Sequence, residues 1–96
     1  MEKTFYVAAY DVPSDTKRRK LADFLELYGQ RVQESVFECR LDKRRLEHLK
    51  SRLAKMLDAE DKFRLYRVCQ SCLSKSWIWG EGEWTEEPVD YIFGLD

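Results

Sequence analysis

The chain has 96 residues, 44% of them apolar and 14% aromatic, enough to fill one core and too few for two domains. That composition excludes the disordered and collagen-like classes, and the longest unbroken apolar run, residues 5–10, is too short to span a bilayer. The formal net charge of −1 hides an asymmetry: residues 81–96 hold six acids and no Lys or Arg, which leaves residues 1–80 with 17 bases against 12 acids, a net of +5. A basic body with an acidic end permits a polyanion partner and equally describes a solvated surface. Met1-Glu2-Lys3-Thr4 enters a strand-like segment with no secretory signal, so the expected location is the cytoplasm.

Residues 4–10, Thr-Phe-Tyr-Val-Ala-Ala-Tyr, are aromatic and β-branched with apolar positions of both parities, the pattern of a central strand covered on two sides. Pro13 ends it. Ser14 or Asp15 caps a helix expected to run to residue 28, with Leu21, Phe24, Leu25 and Tyr28 on one face and Gly29 as its stop. Residues 31–40 are expected to form one strand. Asp42 caps a second helix running to residue 57, whose buried stripe is Leu46, Leu49, Leu53 and Met56 or Leu57, with Leu41 and Leu46 spaced as a hydrophobic staple. Residues 63–68 read as a third strand, 69–75 as a polar loop, 77–79 (Trp-Ile-Trp) as a short fourth strand and 89–93 as a fifth.

Three cysteines are too few, and odd in number, for a disulfide framework. Cys69-Gln70-Ser71-Cys72 has the spacing of half a zinc site or of a redox pair. No second pair completes a zinc site, and a redox pair belongs where a strand meets a helix, whereas a loop is expected here. Cys39, Cys69 and Cys72 are therefore read as incidental.

The fold class expected is α+β, ferredoxin-like β-α-β-β-α-β with an additional C-terminal strand. Residues 1–80 form the core and residues 81–96 an acidic segment. Two helices cover one sheet face. The other meets solvent or a second subunit, and aromatic strand residues favour the subunit. The terminal strand is punctuated by Gly80, Gly82 and Pro88 and is suited to pairing with a neighbour's sheet edge.

Asp11 ends the first strand just before a turn. A carboxylate at that rim can bind a hard cation, with a two-fold axis supplying a second copy; it can equally be a turn or cap residue. Lys17-Arg18-Arg19-Lys20 lie in the first turns of the first helix, against its macrodipole. Bound phosphate would remove that conflict; an ordinary charged face of long side chains would tolerate it. Arg31, Gln33, Ser35 and Phe37 share a face by period two and can meet phosphate, sugar and base, or else Phe37 is core and Arg31 surface.

Residues 7–12 (Val-Ala-Ala-Tyr-Asp-Val), 17–22 (Lys-Arg-Arg-Lys-Leu-Ala) and 29–38 (Gly-Gln-Arg-Val-Gln-Glu-Ser-Val-Phe-Glu) together resemble the CRISPR-associated protein two family, small endoribonucleases of CRISPR loci. The resemblance extends through the second helix to residues 63–67. It implies a ferredoxin-like homodimer joined through its sheet faces, with terminal strands crossing to the partner. A Mg²⁺ or Mn²⁺ site is implied near the two-fold axis, with Asp11 as metal ligand and catalytic residue and Tyr10, Ser35 and Phe37 as further catalytic positions. Lys17, Arg18, Arg19, Lys20 and Arg31 would bind nucleic acid, and a CRISPR integrase subunit would be a partner. The implied function is metal-dependent phosphodiester hydrolysis of RNA or DNA in spacer acquisition and antiviral defence. The alternative is a non-catalytic dimeric scaffold that binds duplex DNA and the integrase. An RNA-recognition-type module shares the strand order but lacks its Gly-flanked aromatic signature at 63–68. A small-molecule-binding regulatory domain is the remaining reading, since fold alone does not fix function.

Overall fold

The computed structural model describes residues 2–80; the strand expected at 89–93 and the acidic segment from 81 to 96 lie outside them. The elements run β1 (Thr4–Asp11), α1 (Asp15–Leu25), β2 (Gly29–Gln33), β3 (Val36–Leu41), α2 (Lys43–Met56), β4 (Lys62–Val68) and α3 (Gln70–Ser74). The strands form one antiparallel sheet in the order β2-β3-β1-β4, the ferredoxin-like arrangement.

Period two divides β1 into two faces, with Phe5 buried on the face opposite the helices. Tyr6, Ala8 and Tyr10 point toward the helices, as do Phe37, Cys39 and Leu41 of β3 and Phe63 and Leu65 of β4. Leu21, Ala22, Phe24 and Leu25 of α1 and Leu49 and Leu53 of α2 close over them. Burying each of these Leu or Phe side chains contributes about 1.5–3 kcal/mol. Both expected caps form. Ser14 accepts from the Lys17 amide at 3.1 Å, and Asp42 accepts from the Arg45 amide at 2.8 Å.

Five expectations need correcting. The segment at 31–40 is not one strand but a hairpin, β2 and β3, joined by Glu34 and Ser35. Helix α1 stops at Leu25: the next turn tightens, with the Leu27 amide donating to Phe24 and the Tyr28 amide to Leu25, and Tyr28 stays buried outside the helix. Gly29 is thus no helix stop. It begins β2, where an added Cβ would lie 2.2 Å from the Glu38 carbonyl oxygen and 2.6 Å from Cys39 Sγ. Residues 70–74 are helical, holding Leu73 buried, so the strand β4 does run into a helix after Cys69. Trp77, Ile78 and Trp79 pair with no strand among the described residues and are exposed.

Candidate active site

The hairpin turn is held against the end of β1. The Tyr10 amide donates to the Ser35 carbonyl at 3.2 Å, and the Tyr10 hydroxyl to the Glu34 carbonyl at 3.4 Å. Arg31 donates to that same Glu34 carbonyl from Nε at 3.1 Å and from a terminal nitrogen at 2.9 Å. Its guanidinium also sits 5.8 Å over the Phe37 ring, its cross-strand neighbour. One carbonyl therefore gathers three donors, and Ser35 is fixed beside the residue that precedes Asp11.

Asp11 faces the other way. It follows buried Tyr10 by one position, so the pleat turns it to the sheet face that α1 and α2 leave open, where it is exposed. Lys62 is its partner in register, and Arg64 and Tyr66 continue the same face of β4, with Arg64 donating to the Tyr66 hydroxyl at 2.9 Å. Among the described residues no three of His, Cys, Asp or Glu come together as a metal cage. A single exposed carboxylate does suit a strongly hydrated ion such as Mg²⁺, which takes one or two carboxylates and keeps several waters.

The cation run of α1 divides three ways. Lys17 is held at 2.6 Å from Asp58 and 2.7 Å from Asp61, and these hydrogen-bonded carboxylates push its pKa up to about 12. Lys17 holds the Asp61 carboxyl below its ordinary range in return. Arg18 donates to the carbonyls of Val12 at 2.7 Å and Pro13 at 3.1 Å and pairs with Asp15, so it fastens the β1–α1 loop. Arg19 and Lys20 are exposed. The mismatch between these cations and the helix macrodipole is thus relieved at Lys17 and Arg18 by acids and carbonyls of the chain itself.

The structure brings Tyr10, Arg18, Arg19, Arg31 and Ser35 to the wall of one open cavity of about 260 Å³. Asp15, Asp23, Glu26 and Glu34 line it as well, so its cations are offset by carboxylates. Asp11, Lys17, Lys20 and Phe37 lie off that wall. Phe37 is fully buried, so its expected place on a strand-binding surface is corrected: it is core, stacked on Tyr10 with ring centroids 6.4 Å apart and supporting Arg31 from beneath. Lys17, expected to bind nucleic acid, is instead paired with two carboxylates of the chain itself. Three further groups stand beside the candidate residues and were not singled out from sequence. Lys62 and Arg64 share Asp11's face, and the alternation Lys62-Phe63-Arg64-Leu65 carries that signal. The Glu34 carbonyl, a backbone group, leaves no trace in residue type.

The family model for CRISPR associated protein Cas2 matches residues 4–76. A CRISPR-associated endoribonuclease Cas2 of Synechocystis sp. is 49% identical over 91% of this chain and 96% of its own length. A solved Thermus thermophilus protein described as hypothetical superposes with a TM-score of 0.73 at 45% identity, covering 88% of this chain and all but 1% of its own. A chain from a solved partial Cas6-RT-Cas1–Cas2 complex has a TM-score of 0.70 at 28% identity, covering 78% of this chain and 89% of that one. With the β2-β3-β1-β4 sheet and the match across nearly all the described residues, the chain belongs to the CRISPR-associated protein Cas2 family.

Proposed function

We propose that this chain is a homodimeric, metal-dependent CRISPR-associated endonuclease of the cytoplasm that works with an integrase subunit in spacer acquisition. The observation that carries this reading is the position of Asp11. It is an exposed carboxylate at the end of the central strand, on the open sheet face, beside a turn that Tyr10 and Arg31 fasten in place. The name of the Synechocystis relative supports the endoribonuclease class, and the partial Cas6-RT-Cas1–Cas2 complex supports the integrase partner.

Asp11 of each of two copies would hold Mg²⁺ or Mn²⁺. A divalent ion so held lowers the pKa of bound water and offsets charge on the phosphodiester. Arg19 and Lys20 on α1, with Lys62 and Arg64 on β4, bind phosphate oxygens and fix the strand's register. Ser35 offers a hydroxyl at the rim. Tyr10, Arg18 and Arg31 are positioning residues: they hold the two loops that flank Asp11. His48 takes no part, since its ring nitrogen bonds the Tyr28 hydroxyl at 2.6 Å.

Asp11→Ala is expected to abolish metal-dependent cleavage of RNA or DNA while leaving fold and dimer intact. Undiminished, EDTA-sensitive cleavage by that variant would remove Asp11 from the mechanism. One observation favours the scaffold as a second reading: among the described residues of one chain, Asp11 has no cluster of ligands around it. Spacer acquisition that survives Asp11→Ala but fails with Arg19→Glu and Lys20→Glu together would decide for it. Those two positions are the suitable ones, because reversing Lys17 or Arg18 would also break the contacts to Asp61 and Val12.

A further inference from the structure

At the opposite end of β1 from Asp11 lies a second reactive group. Cys69 follows β4 and caps α3, and Cys72 is one turn further on. Their sulfurs are 3.3 Å apart, both residues are exposed, and neither is in a disulfide. Ser71 Oγ stands 3.3 Å from Cys69 Sγ. Cys69 also lines a cavity of about 300 Å³ walled by Lys3, Arg40 and Arg67, with Glu2 as its acid.

We propose that Cys69 and Cys72 form a thiol–disulfide exchange site for an anionic low-molecular-weight disulfide of the glutathione class. The Cys69 thiolate attacks one sulfur of the small disulfide, forming a mixed disulfide and expelling one small thiolate. Cys72 gives up its proton and attacks the Cys69 sulfur, closing the Cys69–Cys72 bond and expelling the second thiolate. The protein pair loses two electrons and two protons, and the small disulfide becomes two thiols. The cations of the cavity wall attract the carboxylates of the reagent.

The neighbours of each sulfur set the order of attack. Donation from the Ser71 hydroxyl, then from the amide and thiol of Cys72, brings the Cys69 pKa down from 9.0 to about 7. Either thiol can donate when both are protonated, but once Cys69 ionises only Cys72 can donate, and that bond together with the adjacent negative charge raises the Cys72 pKa. At pH 7 Cys69 is about half ionised, against about 1% for an ordinary thiol. Its lower intrinsic nucleophilicity takes back about tenfold of that gain, leaving about fivefold. Cys39 is buried, which pushes its thiol up to about 11, and it serves as an unreactive internal control.

The test treats the reduced full-length chain with glutathione disulfide at pH 7 and follows intact mass. The wild type should lose two hydrogens with no lasting adduct. Cys72→Ser should accumulate one glutathione on Cys69, and Cys69→Ser should react at Cys72 at least about fivefold more slowly. Arg67→Gln should slow glutathione disulfide while leaving reaction with neutral hydroxyethyl disulfide unchanged. Equal reactivity of the two single variants, a persistent adduct on the wild type, or equal rates of wild type and Arg67→Gln with glutathione disulfide would overturn the proposal. So would a purified chain that retains zinc and resists the reagent until a chelator is added.

Discussion

Tyr10 and Asp11 adjoin in sequence and face opposite sides of one sheet, and that alternation divides their duties. Tyr10 sits among Phe37 and Phe63, with centroids 6.4 and 6.2 Å away, and spends its hydroxyl on the Glu34 carbonyl. Asp11 meets solvent. Asp11→Ala should therefore shift stability by no more than about 0.5 kcal/mol, as for most surface changes. Phe37→Ala should cost about 3–5 kcal/mol in urea unfolding, because it empties a fully buried site. A near-neutral Phe37→Ala would return that ring to the surface. Asp11 could be singled out from sequence because strand end, proline and carboxylate coincide within three residues. Phe37 could not be placed so simply: an aromatic at alternate spacing from Arg31 fits a base platform and a core residue alike, and only the register across β2 and β3 separates them.

At the scale of elements, the hairpin escaped the sequence because its turn lacks the usual residues. Two-residue hairpin loops favour Asn-Gly or Asp-Gly, whose backbone tolerates positive φ. Here Glu34 and Ser35 keep negative φ, the register shifts between Arg31 and Gln33, and long-range bonds from Tyr10 and Arg31 hold the turn. By contrast both long helices were legible, since cap residue and apolar stripe agree at each. Gly29 has a clear test. Gly29→Ala places a Cβ against the backbone of Glu38 and Cys39, so it should destabilise by about 1–3 kcal/mol, read as a lower urea midpoint. An unchanged midpoint would show that β2 can move aside.

The attachment of α1 to the β4 approach depends on pH in a defined way. Asp61 is the enclosed partner of Lys17, its side chain only 1% exposed against 70% for Asp58. Because its carboxyl is lowered below 3.8, the contact stabilises the fold above that pH and is lost as pH falls through the lowered value. Because Lys17 is raised, its contribution is complete below 10.5 and fades as pH rises toward 12. The stability difference between wild type and Lys17→Met should be widest between those limits and shrink beyond both. A difference constant across pH would mean that the pairing adds nothing.

Taken as a whole, the molecule covers one sheet face with α1 and α2 and leaves most of the other open, with Phe5 its buried exception. α1 and α2 cover Tyr6, Ala8 and Tyr10, while Val7, Ala9 and Val36 lie on the uncovered face with Asp11, Lys62 and Arg64. Trp77 and Trp79 add exposed rings, 74% and 88% accessible. Surface of that kind supports a second copy as its cover. If the proposed dimer forms through this face, Ala9→Arg should split it, halving the mass found by light scattering and weakening the proposed metal binding with it. The most direct measurement is a Mn²⁺ titration of the full-length chain followed by electron paramagnetic resonance. Two-fold pairing of Asp11 predicts one tightly held ion per two chains, absent in Asp11→Ala. One ion per chain, or binding untouched by Asp11→Ala, would contradict it.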